Sequence, residues 1–373
     1  MIVLPNCHPS FYHGWINEIR QLMTVHKSLY YSVLACSASQ LRSLSGTQQM
    51  HGLALEYYSR GIETVSSLLA VESAATHNGL LMTIILLYLH GCLGLTTFSD
   101  IPRHVEAAIQ LLRLRFFTGH DGAIRRPFDR IAIESVLYQV FLTAMGSWCQ
   151  RIEQDFHFDA EFWLQAEKLL AQSTLFPSEP ATVNSPVLGV PMSLFRLVLS
   201  IKQIYQGPNR QDQETINHLR DELDEWEAMV LRNDDLDLAA SRSELSHYEI
   251  YKDAAFLYIL AASLLLDQAD EFLFDGTEIL EPRPSSSWQV AKMIQILQDH
   301  AEDYEWAKCF IGNWPLYTIG FFMETQDEIE LVRADLQRRW DISGFSQVAR
   351  FRGELETAWA GRAAPAESAI VGL

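Results

Sequence analysis

Trp314-Pro315-Leu316-Tyr317-Thr318-Ile319-Gly320 opens the closing stretch of the chain, and Ser343-Gly344-Phe345 and Trp359 mark its later landmarks. The proline suits the first turn of a helix, where its missing N–H leaves no donor unpaired. The segment behind it reads as an amphipathic helix that carries Glu328, Arg333, Asp335, Arg338 and Arg339 outward. Gly344 reads as its stop. A last helix then runs through Val348-Ala349-Arg350-Phe351 and Leu355 to Trp359, with aromatics at positions that close a helical core. The pattern speaks for architecture and carries no chemistry by itself.

Outward from this stretch, the same periodicity recurs along the chain. Apolar residues at helical spacing predict helices within 11–45 and over 49–71, 79–94, 102–117, 128–149, 161–172, 192–206, 211–231 and 243–267, with another from Ser287 to about Glu302. Leu80 to Leu95 is the most apolar run, but it is shorter than the roughly 20 residues a bilayer needs, and it contains His90, Gly91 and Gly94. It reads as a buried core helix, and no membrane partner is expected. Residues 173–191 hold Pro177, Pro180, Pro186 and Pro191 and read as a surface linker. No strand-length alternation survives. The expected fold is all-α, a large multi-helix bundle of packed helical hairpins. One domain, 1–360, falls into two halves about the 173–191 loop, and 361–373 forms a flexible tail.

Hydrophobic residues make up 48% of the 373, enough for a sizeable core. Lys plus Arg number 28 against 47 Asp plus Glu, a formal charge of −19. A body that acidic repels a phosphate backbone, so direct nucleic-acid binding by this chain is not expected. The five cysteines (7, 36, 92, 149 and 309) stand alone, with no paired framework, and Met1-Ile2-Val3-Leu4-Pro5 is no secretory signal. An intracellular setting follows, nucleus or cytoplasm.

Motifs for chemistry are absent. No His-Glu-x-x-His or close Cys/His spacing offers a metal site, and no glycine-rich loop cradles phosphate. No nucleophile elbow appears. Asp234-Asp235 lacks an acid at position 238, which is Leu, and Asp221-Glu222-Leu223-Asp224-Glu225 reads as a solvated acidic face. No cofactor and no metal are expected. His90 and His104 are the histidines an acid–base reading would use, each also readable as a hydrogen-bonded core or cap residue. Tyr251, Tyr258, Trp314, Tyr317 and Phe321, with Tyr248, Phe322 and Met323 beside them, are candidates to line an apolar pocket between helices, or are simply core.

Several blocks, taken in order, resemble the regulatory domain of fungal-specific transcription factors. They are Tyr30 to Leu44, Ala54-Leu55-Glu56-Tyr57-Tyr58 with Gly61-Ile62, Leu80 to Leu93, His104 to Leu112, Tyr251 to Ala262, and the closing stretch from Trp314 to Trp359. In the fourth block Ala107 stands where the family usually has Gly. The binuclear zinc cluster that usually precedes the domain has no counterpart in this sequence, so DNA recognition does not carry over. The resemblance implies an all-α regulatory, ligand-sensing module that controls metabolic or secondary-metabolite genes. Its partners would be a small apolar ligand and a second copy or a transcriptional partner protein. The alternative is an enzyme recruited from this fold, a cyclase or isomerase of a natural-product pathway, with His104 as acid or base.

Overall fold

The structure is a computed structural model that describes residues 8–45, 48–69, 77–94, 96–117, 123–148, 158–179, 184–206, 213–232, 242–272 and 281–363. Fifteen α-helices account for most of these residues, and no strand occurs among them. In the first half they are α1 (Pro9–Val25), α2 (Lys27–Ser45), α3 (Gln48–Leu69), α4 (Asn78–Leu93), α5 (Ile101–Phe116), α6 (Pro127–Met145) and α7 (Ala160–Gln172). The second half holds α8 (Met192–Gln206), α9 (Gln213–Arg232), α10 (Arg242–Phe272), α11 (Trp288–Asp299), α12 (Tyr304–Lys308), α13 (Asn313–Phe322), α14 (Gln326–Ser343) and α15 (Ser346–Ala363).

Two helices form the centre because they are apolar on every side. In α4 the run Leu80 to Tyr88 is wholly buried, and its one hydroxyl before Tyr88, Thr83, donates to the Gly79 carbonyl at 2.6 Å. In α6 the buried Arg130 and Glu134 neutralise each other at 2.7 Å, one turn apart. Around this pair, α2 packs against α3 and α4, while α6 meets α1, α5 and α8. The long α10 carries the second half, packing against α8, α9, α11 and α13.

The sequence places α6 to residue 149, but Gly146, at φ +54°, ends it after Met145. Residues 173–191 differ more. Positions 174 and 177–179 are exposed as a surface linker would be, but 184–189 are packed inward. Leu188 is fully buried, and the Glu134 carboxylate accepts from Ser185 Oγ (3.1 Å) and the Val187 N–H (3.0 Å). Asn184 supplies the missing backbone partners, accepting from the Phe176 N–H and donating to its carbonyl.

The closing stretch follows its expected order, with one correction. Pro315 lies in the first turn of α13, and Gly344, at φ +63°, caps α14 in the left-handed conformation that glycine favours. Thr325 and Glu328 form a capping box at the start of α14. Asp335 and Arg339, expected to face outward, are instead buried. Arg339 donates to Asp335 Oδ1 and to the Cys309 carbonyl, both at 2.6 Å, and the Trp306 indole N–H donates to Asp335 Oδ2 at 2.8 Å. These bonds fasten α14 onto α12 and the turn before α13. Helix α15 runs to Ala363, past the expected end of the domain at 360. Residues 364–373, Cys7, Cys149, the run Asp234–Asp237 and the side chain of Tyr248 lie outside what the structure describes.

Candidate functional site

The facing sides of α4 and α6 do not meet along their whole length. They diverge from the closing segment around a cavity of about 330 Å³. Pockets that hold small molecules begin at about this size. From α4 come Met82, Ile85, Tyr88, Leu89 and Cys92, at the three- and four-residue spacing of one helix face. From α6 come Ile131, Ser135, Tyr138, Gln139 and Leu142, spaced the same way. Trp15 of α1 and Gln40 of α2 close one side. Val187 contributes from the stretch before α8, and the remaining wall comes from much later in the chain: Phe310, Asn313, Ile342, Ser343, Phe345 and Gln347, with Tyr304 and Lys308 of α12.

The wall is mostly hydrocarbon and ring, with neutral polar groups set into it. Lys308 is the one cation among its described residues, and its ammonium is held by Glu305 at 2.7 Å and lies 4.1 Å from the centre of the Tyr304 ring. No carboxylate and no histidine is among the described lining residues. Burial pushes the Cys92 thiol up to about 12, so it carries no thiolate at neutral pH. Burial likewise raises Tyr88 and Tyr138, which stay protonated. The side-chain amide of Gln139 lies 3.5 Å from Cys92 Sγ, and the Tyr138 hydroxyl donates to the Phe310 carbonyl at 3.2 Å. Such a wall can hold and orient a molecule by shape and hydrogen bonding.

None of Tyr251, Tyr258, Trp314, Tyr317 and Phe321 lines this cavity. All five are buried. The fold brings Tyr258 and Trp314 together, stacked at 5.4 Å, with Phe141 and Phe195 edge-on to Tyr258. The Tyr258 hydroxyl donates to the Ile311 carbonyl at 2.8 Å. Tyr138, whose ring contacts Phe141, joins this cluster to the cavity from behind α6. Tyr317 stacks on Phe351 at 4.1 Å, packs edge-on against Phe321, and donates its hydroxyl to Glu354. Tyr251 packs on Gly189, whose φ of +67° turns the chain back toward α10.

His104 also stands apart from the cavity. Its Nε2 lies 2.7 Å from the Tyr58 hydroxyl, which also donates to Asp100 at 2.9 Å. Burial lowers the pKa of His104, and the Asp100 carboxylate opposes that shift. His90 stacks on Tyr58 and is held down to about 4 by burial and by neighbouring histidines. Sequence reasoning singled out none of the lining residues for a pocket; the ones it had grounds to find are Tyr88, Ser135 and Gln139. Their readable sign was their polarity inside two otherwise apolar helices.

Among the described residues no group of three or more His, Cys, Asp or Glu could hold a metal ion, and no helix is long and apolar enough to cross a membrane. In comparison with known proteins, residues 3–368 match the profile of a family described as the fungal specific transcription factor domain. No curated protein and no solved structure matches the chain.

Proposed function

The chain belongs to the family of fungal specific transcription factor domains, and from that premise we propose that it senses a small apolar molecule and passes its presence on to transcription. The observation that carries this reading is the partly open cavity of about 330 Å³ between α4, α6 and the closing segment. Its two walls belong to parts of the chain more than 150 residues apart, as the numbers of Leu142 and Phe310 show. A ligand that touches both favours the packing in which they are close. Its influence is bounded by its preference for that packing over any other. The aromatic cluster of Tyr258 and Trp314 behind α6, and the Asp335–Arg339 pair behind Asn313, would carry the change into the second half.

With a formal charge of −19 the chain leaves DNA contact to another module or a partner protein, in the nucleus. Control of metabolic or secondary-metabolite genes is part of this reading and rests on the family resemblance alone. A reporter assay tests it. The whole chain is fused to an unrelated DNA-binding module, and cells are fed an organic extract of the native host. Wild-type output should change with the extract. Leu142→Trp, which fills the cavity, should lock output at one level while circular dichroism stays unchanged. Equal responses from both chains would overturn the proposal.

A further inference from the structure

Independently of the cavity, we infer that the outer face of α2 is a docking site for an acidic amphipathic helix of another polypeptide. One side of α2 is given to the fold: Leu29, Ser32, Ala35, Cys36 and Ser39 are buried, and the helix packs on α3 and α4. The other side carries Tyr30, Leu34, Ser37 and Leu41, at the alternating four- and three-residue spacing by which one helix meets another. Tyr30 is 45% exposed and Leu41 52%, and Val25, just ahead of the helix, is 73% exposed. Exposed apolar residues scattered singly are ordinary, but a row along one helix face marks a contact surface.

Charge says what fits there. The chain holds 47 acidic residues, yet none lies between Glu18 and Glu56, where Arg20, Lys27 and Arg42 stand. The helices packed on α2 add little negative charge. Helix α4 has no acid, Glu18 of α1 is paired with Arg126, and Glu56 of α3 is paired with Arg60, which leaves Glu63. An acidic partner is therefore repelled by the rest of a body of charge −19 and not by this face. Size excludes a second copy held by this face alone. A seam three turns long and one helix wide is roughly 16 Å by 10 Å, about 160 Å², whereas a stable dimer buries roughly 800 Å² on each partner. A single helix matches it.

The test titrates the full chain into two fluorescein-labelled synthetic peptides of three heptads. Both carry Glu at the flanking positions; one has Leu and the other Ser along its seam. Fluorescence anisotropy should show saturable binding of the Leu peptide with a Kd below about 1 mM, and binding of the Ser peptide at least about tenfold weaker. The double variant Tyr30→Ser/Leu41→Ser should lose at least about tenfold in affinity for the Leu peptide. Its melting temperature should stay close to that of wild type, because both side chains are exposed. Lys27→Gln should weaken binding severalfold, and added salt should do the same. Affinity unchanged in the double variant, equal binding of the two peptides, or no binding of either overturns the inference. Tighter binding of a Lys-flanked Leu peptide that is lost in the double variant overturns the acidic class. A chain that is dimeric in light scattering, and monomeric as the double variant, gives this face to a second copy and overturns the partner inferred. None of these outcomes bears on the cavity.

Discussion

Lys202, on α8, is almost completely buried, and its ammonium finds no hydrogen-bond partner among the described residues. Its company is the Trp148 ring, 4.5 Å away. Burial pulls its pKa from 10.5 down to about 7, against the opposing pull of Glu354. Between pH 7 and about 10 the unfolded chain therefore holds more protons than the folded one, and stability rises with pH across that window. Below pH 7 both states carry the proton and the cost of burying it is full. Lys202→Met should raise the urea midpoint at pH 7, by of order 1 kcal/mol or more in stability, and flatten the rise between pH 7 and 10. A lower midpoint at pH 7, or an unchanged slope, would count against this account of the lysine. Asp335 and Arg339 show why such residues escape sequence reading. An acid and an arginine four apart look the same on a solvated helix face as in a core. What turns them inward is Trp306 and the Cys309 carbonyl, contributed some 30 residues earlier.

The helices themselves were legible. Expected and observed boundaries agree within a few residues for α3, α4, α5, α7, α8 and α9, because periodicity, prolines at helix starts and glycines at helix ends act locally. Orientation was legible only where one face is polar. In α4, α6 and α13 nearly every face is buried, so apolar periodicity does not say which side meets a neighbour and which a cavity. The 173–191 stretch was legible only in part for a related reason: its prolines and serines look like a linker, and the anchor of its buried end, Glu134, lies about 50 residues away. Contact between elements can still be tested. A Cβ on Gly320 of α13 would lie 2.6 Å from Leu355 Cδ1 of α15, and the Trp359 indole donates to the Gly320 carbonyl at 2.9 Å. Gly320→Ala should therefore cost about 1–3 kcal/mol in urea unfolding, and Leu355→Val should relieve part of that loss in the double variant. Strict additivity of the two changes would show that the helices do not meet as described.

At the scale of the whole molecule, the cavity is a product of the fold. Its wall runs from Trp15 to Gln347, so neither half holds it alone. The sequence did suggest an apolar site between helices, and it suggested aromatics for it. The rings around Tyr258 and Trp314 packed against one another, while a different set, Trp15, Tyr88, Tyr138, Phe310 and Phe345 among them, borders the cavity. A molecule bound there would tie the closing segment to α4 and α6 and stabilise the folded chain with the logarithm of its concentration, by about 2.7 kcal/mol at a hundred times its dissociation constant.

Native mass spectrometry of the chain purified without denaturation from its own host tests this most directly, with Leu142→Trp prepared alongside. The expected result is one small apolar molecule per wild-type chain, absent from Leu142→Trp, that raises the melting temperature of stripped wild-type protein when added back. A wild-type chain that carries nothing and is stabilised by no host extract, or a molecule retained equally by Leu142→Trp, would contradict it.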